Sequence, residues 1–275
     1  MKRLSGTDYL VYAILVAAAA FALFPLYHLL ATSLKSAPEY MASPIGWPAE
    51  ATVASYRYLI VEGRILRFFA NNLLLVPLGT AAYIAVCLAA GFAFGQLRFR
   101  LRLPLFLVLL FLQIFPQMLL SMQVFRLAAS FGLIDTYLGV ILVWVAYFAP
   151  FGTYIMTTYF STIPREIIES ARIDGASTFR ILAGIMAPLA APMLGTLAIL
   201  GVQQMWNELP FSLLLLQDDA KRTIILGIAM LQGEYGMRIP DLSAAIMIAS
   251  AVPILLLAIF QRRITLGTLI GSVKG

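Results

Sequence analysis

The stretch Phe68–Arg102, FFANNLLLVPLGTAAYIAVCLAAGFAFGQLRFRLR, decides the fold. From Phe68 to Leu97 it holds no Asp, Glu, Lys or Arg. About 20 such residues in a helix cross the hydrocarbon core of a bilayer, and a charge at its centre is costly. The charge then returns abruptly, with Arg98, Arg100 and Arg102 inside five residues. The reading is a membrane span that ends at a basic edge.

Five more charge-free windows are long enough to span: Tyr9–Leu34, Leu103–Phe125, Thr136–Pro164, Ile181–Asn207 and Leu242–Gln261. Runs such as Leu103–Leu112 do not alternate apolar and polar residues as barrel strands do, so the spans are helices. Pro77, Pro116, Pro150, Pro192 and Pro253 lie inside them and are expected to kink rather than break them. Two shorter uncharged pieces remain. Leu209–Gln217 could extend the fifth span, and Thr223–Gly233 is expected at the outer surface.

Composition agrees. Hydrophobic residues make up 61% of the 275 and charged residues 12%, with a mean hydropathy of +0.92. Soluble domains carry about 25% charged residues, so this chain could not clothe a soluble globule, and it is too apolar for a disordered one. The net charge of +6 is scattered between apolar runs and forms no nucleic-acid face. Cys87 is the only cysteine, which excludes an internal disulfide and reads as a small buried residue. His28, the only histidine, reads as bonded to its helix or snorkelling, and Gly91 with Gly95 as a close-packing GxxxG.

The fold class is therefore all-α, a six-span polytopic membrane protein. Six spans put both termini on one side. Short basic loops stay in the cytoplasm, so the Arg98–Arg102 loop and both termini are expected there, with Lys35–Arg67 outside. Lys2 and Arg3 before an apolar run resemble a secretory signal. That run continues through Phe21–Leu30, longer than a signal core, so the first helix is expected to be retained.

The longest inward connection is Ser161–Met186. Pro164 and Glu166 suit a helix start, and Ile167, Ile168 and Ala171 make an apolar stripe. Asp174-Gly175 is a turn signal, and Ser177 suits the N-cap of a second short helix. These residues alone fit either a connector resting on headgroups or a docking element for a soluble partner.

Glu169-Ser170-Ala171, three residues, Gly175, nine residues, Ile185, one residue and Ala187-Pro188 resembles the EAA loop of ABC importer permeases. Ser170 and Ala187 depart from that pattern, and both stay small or apolar. Ile173-Asp174-Gly175-Ala176-Ser177, Trp206-Asn207-Glu208 and the closing Gly271-Ser272-Val273-Lys274-Gly275 are similar to the carbohydrate-uptake, maltose-type branch, its second permease in particular. The resemblance implies the type I importer permease fold. It makes residues 1–275 a single permease domain, with 161–188 the cytoplasmic coupling loop within it. It places the chain in a bacterial or archaeal inner membrane. It also implies a second permease subunit, two ATP-binding-cassette ATPase subunits that hold ATP and Mg, and an extracytoplasmic solute-binding protein. Coupling to the ATPase then falls to Glu169, Ala171, Arg172, Asp174, Gly175 and Ala176.

The dipeptide Gly-Lys never occurs, so this chain lacks a P-loop and no cofactor is expected in it. The only acid near a span interior is Glu208, poor support for the alternative of an ion-coupled secondary transporter. A single His, a single Cys and no intramembrane acid pair leave neither catalytic nor metal-ligating residues to name. A hydrophilic route is expected from polar side chains inside spans. These are Gln113 and Gln117 at i, i+4, and Gln203, Gln204, Trp206 and Asn207, with Tyr147 available to stack on a sugar ring. The same amides could instead tie helices together.

Overall fold

The computed structural model describes residues 6–272, with side chains described from 9 to 259 except 234, 235 and 257. Lys2, Arg3 and Val273-Lys274-Gly275 lie outside the described residues, as do the side chains of Arg262 and Arg263. Among the described residues fourteen α-helices follow in order: α1 Gly6–Ser33, α2 Ala37–Ala42, α3 Ala54–Val61, α4 Ile65–Gln96, α5 Arg102–Phe111, α6 Gln117–Ser130 and α7 Tyr137–Ser161. Then come α8 Glu166–Ile173, α9 Thr178–Ile181, α10 Ala187–Leu189, α11 Ala191–Trp206, α12 Pro210–Leu215, α13 Ile224–Tyr235 and α14 Ile239–Ser272. Among the described residues there is no strand.

Four helices, α1, α4, α7 and α14, contain unbroken stretches long and apolar enough to span. The other two expected spans are bent pairs. One turns through 108° between Ile114 and Gln117, the other through 81° at Ala190. Counting each pair as one span gives six.

The prolines behave in two ways. Pro77, Pro150 and Pro253 stay inside continuous helices. Pro116 and Pro192 stand at breaks, contrary to the expectation of kinks. Phe115 is extended (φ −76°, ψ 120°), because a proline ring clashes with a helical residue before it. Pro192 sits in the first turn of α11, where its missing N–H is not needed.

The chain divides into two compact units. The first joins Met1–Leu66 with Ile228–Ala251. Side chains from Tyr9 to Tyr27 of α1 are exposed, and the His28 ring stacks on Phe24. The connection after α1 is held by polar bonds. Lys35 is 1% exposed, and its ammonium donates to the carbonyls of Ser43 (2.7 Å) and Pro44 (3.4 Å). Ser33 Oγ and Tyr56 Oη share a hydrogen at 2.8 Å, and Thr52 N–H donates to Leu34 O.

The second unit joins Arg67–Gly227 with Val252–Gly275. Its core is a glycine-seamed contact of α4 with α7. A Cβ on Gly91 would collide with the Cβ and backbone of Met156, and one on Gly95 would meet Phe160 and Thr157. Gly152 of α7 returns the contact against Tyr83 and Cys87. Small residues allow this approach, and adding a methyl to a filled contact costs about 1–3 kcal/mol. At the end of the seam Gln96 Nε2 donates to the carbonyls of Phe160, in the last turn of α7, and Ile163, just beyond it.

The piece 223–233 is mostly buried within the chain. Gly227 in α13 lies against the Phe68 ring, and Ile224 N–H donates to Asn72 Oδ1 at 3.1 Å. The segment expected to extend the fifth span forms the separate helix α12, after a break at Asn207.

Candidate translocation and coupling sites

Between Ser161 and Met186 the two expected short helices are α8 and α9. α8 starts at Glu166, two residues after Pro164, and carries Glu166 and Glu169 in its first turn and Arg172 in its last, all in the sense its dipole favours. It closes through a paired hydrogen-bond motif. Ala176 N–H donates to Ala171 O (2.9 Å) and Gly175 N–H to Arg172 O (3.0 Å), with Gly175 left-handed at φ +78°. Ser177 then caps α9, its Oγ accepting from Arg180 N–H at 3.3 Å. The turn is built from local bonds alone.

Its faces differ from a stripe free to dock. Ile168 and Ala171 are buried within the chain. Glu169, Arg172, Asp174 and Gly175 face outward, and Ala176 is half-buried. The apolar groups presented outward are Ile173, 86% exposed, and Phe179, 77% exposed, one on each side of the turn. Beneath lies a cavity of about 410 Å³ where Arg98 meets Arg165, Glu169 and Arg172.

The second polar centre is Glu208, 4% exposed. Its Oε1 accepts from Gln117 Nε2 (2.6 Å) and Phe211 N–H (2.6 Å). Its Oε2 accepts from Trp144 Nε1 (2.9 Å), Ser212 N–H (3.0 Å) and Ser212 Oγ (2.7 Å). The carboxylate thereby caps α12 and ties α6, α7 and α11 together. With five donors on two oxygens, no lone pair is left for relaying protons. Trp144 and Ser212 are partners that sequence reading missed. The position of Glu208 just ahead of Pro210, where a helix starts, was the available signal.

The expected path residues separate. Gln113 and Gln117 do not share a helix face: the Pro116 break puts Gln113 in an exposed 3-10 turn and Gln117 at the start of α6, on Glu208. Trp206 is buried, its ring edge-on to Phe69 at 5.7 Å. Gln204 is half-buried, with its Oε1 unpartnered. Gln203 and Asn207 are exposed and adjacent, Asn207 Nδ2 donating to Gln203 O at 2.8 Å. Both line a cavity of about 240 Å³ with Trp206, Val202 and Pro253. Tyr147 lies elsewhere, packed edge-on against Phe148 and Phe211 and lining an apolar cavity of about 310 Å³. Missed altogether were Asn71 and Asn72. Asn71 accepts from Tyr137 Oη (3.0 Å) and donates to Ala220 O and Arg222 O (both 2.9 Å). Asn72 Nδ2 lies 3.5 Å from Trp206 O.

One more polar centre lies in the loop between α6 and α7. Asp135, at φ +57°, accepts from the N–H groups of Gln217 and Asp218 and pairs with Lys221 at 2.6 Å. The Lys221 bond holds the Asp135 carboxyl below the usual carboxylate range, helped by the Asp218 N–H, and the same bond pushes the ammonium up. Among the described residues no three His, Cys, Asp or Glu side chains converge as a metal site needs.

A family described as the binding-protein-dependent transport system inner membrane component matches residues 84–266. The chain belongs to that family. It is 30% identical over 254 residues to the sulfoquinovosyl glycerol transport system permease protein of Agrobacterium fabrum, covering 92% of this chain and 89% of that one. It is 31% identical over 261 residues to the trehalose/maltose transport system permease protein of Thermococcus litoralis, covering 94% and 93%. Its fold matches a chain of a bacterial ABC transporter involved in the import of the acidic polysaccharide alginate, with a TM-score of 0.79 at 21% identity, covering 95% and 99%. This is a multi-pass membrane permease subunit of an ABC importer with the type I fold.

Proposed function

We propose that this permease carries a sugar or sugar-like solute inward and draws its energy from separate ATPase subunits through the α8–α9 turn. The observation that carries the coupling half is the turn itself. Its backbone is fixed by two local hydrogen bonds, while Ile173 and Phe179 stand open to solvent with Glu169, Arg172 and Asp174 beside them. Exposed apolar groups with charges at their rim suit a groove on a soluble partner. On this reading α8 and both termini face the cytoplasm. ATP and Mg sit on the two ATPase subunits, a second permease completes the pathway, and a solute-binding protein delivers the ligand outside.

The substrate class is supported by relatives that carry trehalose/maltose and arabino-oligosaccharides. Gln203 and Asn207, with the Trp206 edge, offer amide hydrogen bonds and an aromatic surface without a counter-charge, as hydroxyl-rich solutes require. The test is Gly175→Pro in the complete reconstituted importer. Proline cannot take φ +78° and removes the N–H that closes on Arg172. ATP-driven uptake should vanish while membrane insertion and subunit yield persist. Unchanged uptake, or uptake in vesicles that hold this chain and an ion gradient but no ATPase, would refute the proposal.

A further inference from the structure

The arginine-rich edge after α4 holds a second kind of site. A cavity of about 470 Å³ opens there between the end of α4, the start of α5 and the last turns of α7. Arg100, Arg102, Phe94 and Phe106 line it, and no carboxylate does. Arg100 makes no ion pair or side-chain hydrogen bond among the described residues. Arg102 reaches Gly95 O only at 3.4 Å, which leaves most of its donors unused. Thr157, a residue 8% exposed, lines this cavity, and its buried hydroxyl has no partner. Phe94 packs at a tilt against Phe99 (5.8 Å) and Phe106 (5.5 Å), forming an aromatic wall.

We propose that this cavity binds the phosphate of an anionic phospholipid, with its acyl chains against Phe94 and Phe106. Two guanidiniums and a buried hydroxyl donate, and a phosphate diester only accepts. The aromatic wall and the location at a span edge favour a lipid over a free anion, since a headgroup alone would leave that wall unused.

The test uses the purified full chain in detergent, titrated with phosphatidylglycerol or with phosphatidylcholine of the same acyl chains, and bound lipid is counted by native mass spectrometry. Phosphatidylglycerol should be retained preferentially. Each arginine near an anionic headgroup is worth about a fivefold change, so R100Q should lose about fivefold and R100Q/R102Q about 25-fold. R126Q, a charge removed elsewhere in the same unit, should retain lipid like the parent. T157V leaves the charges intact and should weaken retention about threefold. It carries the test if the double variant loses its helical circular dichroism. Equal retention of both lipids, or parental retention by R100Q or T157V, would overturn the proposal. Displacement by millimolar glycerol phosphate would reassign the cavity to free phosphates and equally overturn the lipid claim.

Discussion

Glu208 and the Gly175 turn are both polar centres of this permease, and they are built by opposite means. Glu208 is buried, and two of its partners, Gln117 and Trp144, come from 91 and 64 residues away. The Gly175 turn is exposed and closes on residues three and five positions back. A centre whose donors come from three helices holds the bundle in one arrangement. A centre that carries its own hydrogen bonds moves as a piece and leaves its side chains free for a partner. The two should therefore fail differently when altered.

The largest effect falls on the buried centre. Glu208→Ala strands the Trp144 N–H and the Phe211 and Ser212 amides, and removing one member of a buried charged network costs about 3–5 kcal/mol. Thermal unfolding in detergent should show this as a large drop in Tm, with poor yield. Glu208→Gln should not rescue it. Both carboxylate oxygens already receive at least two hydrogens, so an amide NH₂ in either place meets donors head-on. A Gln variant with parental Tm would break the comparison.

The α4–α7 seam comes next. Gly91→Ala should cost about 1–3 kcal/mol, because the added methyl meets the Met156 Cβ and backbone rather than the end of a flexible chain. Gly184→Ala, with open space around it, should leave the unfolding free energy within about 0.5 kcal/mol of the parent. Equal effects at the two sites would deny the seam its role.

The smallest effect belongs to Asp135. Its folded carboxyl titrates below its unfolded value, so the Lys221 pairing stabilises at neutral pH and is lost as pH falls through the lowered folded value. Asp135→Asn should flatten the acid limb of a Tm-against-pH curve and leave uptake near neutrality intact. An unchanged acid limb would mean the pairing does not contribute to stability.

How far these centres can be read from sequence follows from how they are made. The spans were legible because charge is excluded from them, a property each window carries by itself. The turn was legible too: Asp174-Gly175 and Ser177 are local signals, and their bonds are local. The Glu208 network was not, because its partners converge only after helices far apart in sequence have packed. The Pro116 break was equally hidden. Pro77 and Pro150 stand in similar apolar runs yet stay within helices, since neighbouring helices decide whether the disturbed turn is tolerated. That break is what separates Gln113 from Gln117, so the path reading failed where it assumed an unbroken helix. Asn71 and Asn72 were visible as polar residues in a span, but their work on the 220–224 segment depends on contacts about 150 residues away.

The most direct test of coupling through an exposed, self-contained turn is paired measurement on Ile173→Ala/Phe179→Ala in the reconstituted importer. Unfolding free energy should stay within about 1 kcal/mol of the parent, since neither side chain is buried, while ATP-driven uptake is lost. Parental uptake at parental stability would contradict coupling through the turn.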